Sequence, residues 1–136
     1  MKNYLLDTQI FIKAFQQPEL LPKKIARLLV DQRSIKYVSV VTFWEMAYLL
    51  DTKPHIFKIK VPLATFISEA TQILQVITLN LTAEHAQRFY ELQPLKDHRD
   101  TYDRMLIAQA ASTGFTMVST DHNFPFYPIN LYDYQW

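Results

Sequence analysis

The chain of 136 residues contains one glycine, Gly114, and neither an Asn-Gly nor an Asp-Gly pair. Two-residue β-hairpins usually need such residues, because their turns require positive φ angles. The sequence therefore disfavours a fold built from successive hairpins. Strands in this chain have to be joined by longer connections.

Short apolar or β-branched runs alternate with helical patterns along the chain. We predict strands at residues 3–6, 36–40, 76–79 and 115–120, with a short fifth strand at 129–133. Helical spacing covers residues 20–29, 42–50, 62–74, 82–92 and 100–113. Strands separated by helices need crossover connections, which give parallel pairing. We expect one α/β domain over residues 1–136, with a parallel sheet of four to five strands flanked by helices on both faces.

Composition excludes several classes of protein. Hydrophobic residues make up 49% of the chain, which is too many for a disordered protein. Cysteine is absent, so disulfides and thiolate metal sites are impossible. No apolar run approaches the ~20 residues that span a bilayer. We expect a cytoplasmic protein with no signal peptide or membrane anchor. The net charge of +1 does not indicate nucleic-acid binding, but it does not exclude it.

Four acidic residues belong near one edge of the predicted sheet. Asp7 and Asp121 follow the first and fourth strands, and Glu45 lies one turn into the helix after the second strand. Asp103 lies in the first turn of the helix that leads to the fourth strand. Sites in parallel sheets form outside the carboxyl ends of the strands. Asp7 is equally compatible with a helix cap, and Asp121 with a turn, whereas Glu45 interrupts an apolar run and is harder to explain structurally.

Carboxylates in one cleft repel each other. Two of them ~4 Å apart repel by roughly 4 kcal/mol at an effective dielectric constant of 20. A hard divalent cation would neutralise them, and Mg²⁺ or Mn²⁺ prefers oxygen ligands. The four histidines are scattered along the chain, so zinc is disfavoured. Asp100 and Asp103 also fit a capping box, with Asp100 as the N-cap.

Four segments carry a resemblance to a known family. These are "YLLDT", "SVVTFWEMA" around Glu45, "HRDTYDRMLIAQA" from His98 to Ala110, and "MVSTD" ending at Asp121. In order and spacing the chain resembles the PIN-domain ribonucleases, in particular the VapC-type toxins of bacterial toxin–antitoxin pairs. The third segment is the most specific of the four.

The resemblance implies a metal-dependent endoribonuclease with Mg²⁺ or Mn²⁺ in an acidic pocket. It also implies an RNA substrate, a homodimer, and a cognate antitoxin protein that blocks the pocket. The residues that match the family's acidic set are Asp7, Glu45, Asp103 and Asp121. Thr8 and Thr120 match hydroxyl positions beside it. Asp100 matches a position that we assign mainly to capping, and Arg104 could contact substrate phosphate or brace a carboxylate.

The chain departs from the family pattern at Thr101 and Tyr102, at Leu49, and in the segment 51–62, which leaves the choice of substrate open. The alternative function is a catalytically silent RNA-binding or antitoxin-binding module. A phosphatase that uses Asp7 as nucleophile is disfavoured, because haloacid-dehalogenase-like enzymes need a second aspartate where Gln9 stands. We expect Trp44 to pack in the core. The aromatic tail 123–136 could pack over a sheet edge, lie at a dimer interface, or stack on RNA.

Overall fold

The computed structural model describes residues 2–92 and 100–135. The strands are β1 (Asn3–Leu6), β2 (Ile35–Ser39), β3 (Ile77–Leu79) and β4 (Thr116–Val118). The helices are α1 (Thr8–Gln16), α2 (Lys23–Val30), α3 (Val40–Thr52), α4 (Leu63–Leu74), α5 (Ala83–Glu91) and α6 (Thr101–Thr113). In this part of the chain, no helix has the length and apolar character needed to cross a membrane.

The four strands form one parallel sheet in the order β3-β2-β1-β4. Leu6 at the end of β1 pairs with Val38 of β2 on one side and with Val118 of β4 on the other. The carboxyl ends of these three strands therefore meet at one edge. The predicted α/β fold with a parallel sheet is confirmed.

Helices cover both faces of the sheet. Side chains alternate along β1, so this strand contacts the helices on both sides. Tyr4 and Leu6 pack on one face with apolar residues of α1 and α2. Leu5 points to the opposite face, where Leu106 and Ile107 of α6 are fully buried. A strand buried on both faces is typical of the centre of a parallel sheet. The edge where β1 ends is therefore held between two helical layers.

The prediction of a fifth strand at 129–133 is wrong. This segment pairs with β4 at one position, a parallel bridge between Leu131 and Met117. Alternate residues of a strand direct their backbone N–H and C=O groups to the same side. In the three-residue β4, only Met117 directs these groups away from β1 and toward the segment 129–133. Met117 donates to the carbonyl of Asn130 and accepts from the N–H of Tyr132. The pairing is too short to make a strand.

The aromatic tail packs along β4, the outer strand on this side of the sheet. Phe124 and Tyr127 are buried against α6 and β4, and Tyr132 meets Tyr4 edge to face with ring centroids 5.9 Å apart. For these residues the prediction of packing over a sheet edge is confirmed.

Both predicted ends of α6 are confirmed. The carboxylate of Asp100 accepts a hydrogen bond from the N–H of Asp103 at 3.0 Å, as an N-cap does. The helix ends at Gly114, whose φ of 75° lies in the left-handed region that glycine adopts without strain. His98 and Arg99, from the start of the same sequence motif, lie outside the described residues.

Candidate active site at the carboxyl edge of the sheet

Asp7 occupies the position directly after the central strand β1, and its side chain is buried. One carboxylate oxygen accepts a hydrogen bond from the N–H of Ile10 at 2.8 Å, so Asp7 is the N-cap of α1. The other oxygen accepts a hydrogen bond from the hydroxyl of Ser119. Asp7 therefore caps a helix and also lies at the acidic edge, two roles that the sequence left as alternatives.

The pKa of Asp7 is raised to about 6. Burial is the main cause, because it removes water from the charged form. The nearby charge of Asp121 raises the pKa further, while the hydrogen bonds from Ser119 and Ile10 oppose the rise. The two donors hold the carboxylate in one orientation but do not compensate fully for its burial.

Ser119 is a residue of this edge that the sequence analysis missed. It is buried directly after β4, where its hydroxyl donates to Asp7 and accepts from the N–H of Asp121 at 3.0 Å. The pairing of Leu6 with Val118 makes Asp7 and Ser119 the next residues on neighbouring strands. The predicted strand 115–120 runs past Ser119, so only the observed register of β1 with β4 identifies this residue. The role of its neighbour Thr120 stays a prediction.

Glu45 reaches the edge from the first half of α3. Within the described part of the chain, its buried Oε1 atom has no hydrogen-bond partner. Burial raises the pKa of Glu45, and the charges of Asp100 and Asp7 raise it further, whereas a hydrogen bond with Thr8 lowers it. A buried carboxylate oxygen without a donor is costly unless a proton or a cation joins it.

The hydroxyl of Thr8 links α1 to α3 at the same edge. Its Oγ1 atom shares a hydrogen bond of 3.0 Å with the hydroxyl of Thr42, and both side chains are buried. Thr42 lies three residues before Glu45 and therefore on the same side of α3. The structure places Thr8 beside the acidic residues, as predicted. The contribution of Thr42 was missed, although its spacing from Glu45 gave the signal.

The pKa of Asp103 shows that the acidic residues lie near one another. Its pKa is raised to about 9, first by burial and then by the charges of Asp100, Asp121, Glu45 and Asp7, in that order. Charges act over a limited distance, so four carboxylates that perturb a fifth must lie near it. The structure brings all four predicted site acids, together with Asp100, to one edge of the sheet.

Asp121 has a structural role as well. Its carboxylate accepts a hydrogen bond from the N–H of Asn123 at 2.9 Å, which stabilises the turn after β4. The same charge raises the pKa of both Asp7 and Asp103. The turn and the acidic edge thus use the same side chain.

Arg104 is directed toward α5. Its guanidinium carbon lies 4.5 Å from the centre of the Phe89 ring, and one nitrogen donates to the carbonyl of Leu92 at 3.5 Å. A guanidinium over an aromatic face is a cation–π contact, so Arg104 joins α5 to α6. The predicted contacts with phosphate or carboxylate stay predictions.

Trp44 is exposed, with 68% of its surface accessible, so its predicted place in the core is wrong. The buried side of α3 is formed by Thr42, Met46 and Leu49. This spacing of three and four residues turns Trp44 and Tyr48 to the opposite side of the helix. An almost uniformly apolar helix sequence did not indicate which side would face the sheet.

The edge offers only oxygen ligands, the donors that Mg²⁺ and Mn²⁺ prefer. The partnerless oxygen of Glu45 and the raised pKa values of Asp7 and Asp103 fit a cation that would stabilise the charged forms. Among residues 2–92 and 100–135, however, no group of three or more acidic or histidine side chains is arranged so that it could hold a metal ion. The oxygen donors are of the kind that a divalent cation prefers. Repulsion between the charged carboxylates favours larger distances between them.

The sequence matches the family model of the PIN domain over residues 4–128, which is most of the chain. The chain belongs to the PIN domain family. No curated protein matches it significantly in sequence.

Solved structures share the fold of this PIN domain at low sequence identity. The VapBC2 structure from Rickettsia felis, bound to a promoter DNA fragment, contains a chain that matches with a TM-score of 0.70 and 16% identity. The match covers 95% of this chain and 96% of that one. A chain of FitAcB from Neisseria gonorrhoeae matches with a TM-score of 0.63 and 16% identity over 96% and 97% of the two chains. For VapBC-5 from Mycobacterium tuberculosis the TM-score is 0.55 and the identity 19%, over 93% and 90%.

Proposed function

We propose that this PIN domain is a metal-dependent endoribonuclease that acts as the toxin of a toxin–antitoxin pair. PIN domains are generally nucleases. The observation that carries the proposal is the perturbation of Asp103 by four other carboxylates at the carboxyl edge of the sheet. Clusters of perturbed titratable groups are typical of catalytic sites.

The proposed cofactor is Mg²⁺ or Mn²⁺, held by Asp7, Glu45, Asp103 and Asp121. A bound ion of this kind lowers the pKa of a coordinated water and stabilises negative charge on a phosphodiester. Mg²⁺ usually binds through one or two protein carboxylates and keeps several waters. A site of that kind does not require three acidic side chains to be clustered in advance.

The surrounding residues orient the carboxylates. Ser119 and the N–H of Ile10 hold both oxygens of Asp7, so that carboxylate cannot rotate freely. Thr8, itself bonded to Thr42, supports Glu45. The raised pKa values mean that Asp103 holds a proton on its carboxyl group at neutral pH and that Asp7 is partly protonated just above pH 6. Cation binding would release these protons, so we expect affinity to increase with pH.

The proposed partners are RNA as substrate, a cognate antitoxin protein, and a second copy of the chain in a homodimer. Support for an antitoxin comes from the structural neighbours, among them VapBC2 and VapBC-5, since the latter is described as a member of a family of toxin–antitoxin systems. The proposed location is the cytoplasm, where RNA is accessible.

A catalytically silent RNA-binding or antitoxin-binding module is the second candidate. It is favoured by one observation, namely that no described group of acidic residues is arranged to hold a metal ion. The presence of all four family acids favours the nuclease.

The test is cleavage of a total-RNA pool by the purified protein with Mg²⁺, with Mn²⁺ and with EDTA. The Asp7→Asn and Asp103→Asn variants each remove one acid from the edge. Glu69→Gln is the matched control, because it removes an acid from the exposed surface of α4. We expect discrete fragments with either metal from the wild type and the control, and none in EDTA or from the two aspartate variants.

Cleavage that persists in EDTA or in both aspartate variants would contradict the proposed site. Detectable metal binding by the wild type without RNA cleavage would favour the silent module.

A further inference from the structure

Helix α5 packs on its neighbours through one buried side chain, a histidine. Of the nine residues of α5, His85 alone is buried. A helix of this length is not stable by itself in water, so it depends on its packing. Surface helices usually pack through apolar side chains. In α5 the buried side chain is instead one that can take up a proton not far below neutral pH.

The imidazole of His85 is bonded twice at the same nitrogen. The backbone N–H of Thr82 donates to its Nδ1 atom at 3.3 Å, and the N–H of His85 donates to the hydroxyl of Thr82 at 3.2 Å, which forms the capping box of α5. The side-chain amide of Gln109, fully buried on α6, lies 3.3 Å from the same Nδ1 atom. Through this nitrogen, His85 joins the first turn of α5 to α6.

Two backbone groups determine which atoms carry the protons. The N–H of Thr82 can only donate, so Nδ1 of His85 has to be unprotonated. The carbonyl of Asn80 can only accept, and it accepts from Nε2 of Gln109 at 3.3 Å. The amide nitrogen of Gln109 therefore faces Nδ1, while its Oε1 atom is buried and has no partner in the described part of the chain. These contacts form only with the neutral ring.

A proton on Nδ1 would remove both hydrogen bonds. Three N–H donors, from His85, Thr82 and Gln109, would then converge with no acceptor between them. Turning the amide of Gln109 would offer its oxygen to the ring, but it would also place that oxygen against the carbonyl of Asn80. Buried polar groups without partners are costly. Protonation therefore favours a conformation in which the ring has left this site.

The charged groups near His85 do not compensate for a positive ring. Burial lowers the pKa of His85 below its ordinary value of 6.5, and the neighbouring Glu84 opposes this shift without cancelling it. Farther along α5, Arg88 lies 3.6 Å from Glu91. Residues 77–82, which lead into α5, include no titratable side chain. The titratable residues of α6 all lie in its first turn, more than one turn from Gln109: Tyr102, Asp103 and Arg104.

A cavity of about 280 Å³ between α5 and α6 gives the ring a way out. His85 lines this cavity together with the side chains of Leu81, Ala86, Phe89 and Met105, which are apolar. The ring can therefore leave Gln109 without any displacement of α6.

We propose that His85 is an acid-sensitive latch: the neutral ring holds the first turn of α5 on α6, and uptake of one proton releases this turn and opens the apolar cavity. The other end of α5 stays attached, because Arg104 contacts the ring of Phe89 and the carbonyl of Leu92. The proposal does not depend on the proposed nuclease function, since it uses none of the acids at the carboxyl edge of the sheet.

Amide hydrogen exchange of the whole protein, followed by NMR between pH 7.5 and 5, tests the latch. Each rate is corrected for the intrinsic effect of pH. The released ring binds a proton more tightly than the buried one, so the open population should rise by up to about tenfold per pH unit below 6.5, until the buried ring is protonated as well. We expect protection at residues 85–88 to fall accordingly. Protection in α4, which contains no histidine, should not fall.

His85→Gln separates the proton from the packing. Glutamine is a usual third residue of a capping box, and its side-chain oxygen can accept from Thr82 and Gln109 at any pH. Protection of α5 in this variant should not change between pH 7.5 and 5, whereas His85→Ala should show low protection at both. His55→Gln is the matched control, because it removes an exposed histidine, and it should behave as the wild type does.

Nitrogen-15 shifts of the histidine rings give a measurement that needs no variant. The ring of His85 is identified by its through-space contacts with Gln109. At pH 7.5 its Nδ1 atom should be unprotonated, and its titration should coincide with the loss of protection in α5.

A proton on Nδ1 at pH 7.5, or constant protection of α5 in the wild type, would overturn the latch. An equal fall of protection in His85→Gln would assign the effect to another group and would also overturn it. So would a fall that α4 shares, because it would report unfolding of the whole domain.

Discussion

Replacing Asp7 by asparagine should stabilise the protein while abolishing its proposed activity. Asp7 is buried, and its pKa rises from 3.8 to about 6 on folding. A difference of this size corresponds to ~3 kcal/mol by which the ionised carboxylate destabilises the fold. Asparagine removes the charge, keeps an oxygen that accepts from the N–H of Ile10, and can donate to the hydroxyl of Ser119. The capping role is therefore preserved.

The sign of this effect depends on pH. Between 3.8 and about 6 the unfolded chain has released the Asp7 proton while the folded protein retains it. The wild type therefore loses stability as pH rises through this window, and the loss is complete above it. We expect Asp7→Asn and the wild type to be equally stable near pH 3, and the variant to be ~3 kcal/mol more stable at pH 8. Loss of the charge also removes a repulsion on the Glu45 carboxylate, which acts in the same direction.

Urea denaturation at pH 3, 5 and 8 measures this difference, with Glu69→Gln as the control for loss of one exposed charge. Saturating Mg²⁺ at pH 8 should stabilise the wild type more than the variant, because the ion binds the charged carboxylates. A stability difference that does not change with pH, or a variant that is less stable than the wild type at pH 8, would contradict this expectation.

Three further predictions concern the residues around the site and the helix ends. Ser119→Ala should raise the pKa of Asp7 further and cost ~1–3 kcal/mol in urea denaturation at pH 8, with a smaller cost near pH 3; equal costs at both pH values would contradict this. Arg104→Ala should lose ~0.5–2 kcal/mol in thermal unfolding, and Arg104→Gln should not recover it, because the contact with the ring on α5 needs the positive charge. Gln75→Gly should gain about 0.5–1 kcal/mol of stability and Gly114→Ala should lose about as much. The reason is that φ is 54° at Gln75 and 75° at Gly114, and both angles lie in the left-handed region that favours glycine. Calorimetry on the pair checks this, and a shift of the same sign in both would disprove the role of backbone strain.

The alternation of strand and helix patterns was sufficient to predict the parallel sheet, because that alternation leaves few other connections. It also placed Asp7 and Asp121 correctly, since Asp7 directly follows β1 and Asp121 lies shortly after β4. Ser119 required the register between β1 and β4, which no single segment contains. The orientation of Trp44 required knowing which side of α3 packs on the sheet. The segment 129–133 has a strand-like composition, but β4 offers it only one residue for pairing.

We propose that the carboxylates at the N-cap of α1, on α3 and α6, and in the turn after β4 form one divalent-cation site. Mn²⁺ binding, followed by electron paramagnetic resonance at pH 8, measures this directly in the wild type, Asp7→Asn, Asp103→Asn and Glu69→Gln. We expect both aspartate variants to bind Mn²⁺ much more weakly, and Glu69→Gln to match the wild type. Equal binding by all four proteins, or no binding by any of them, would contradict it.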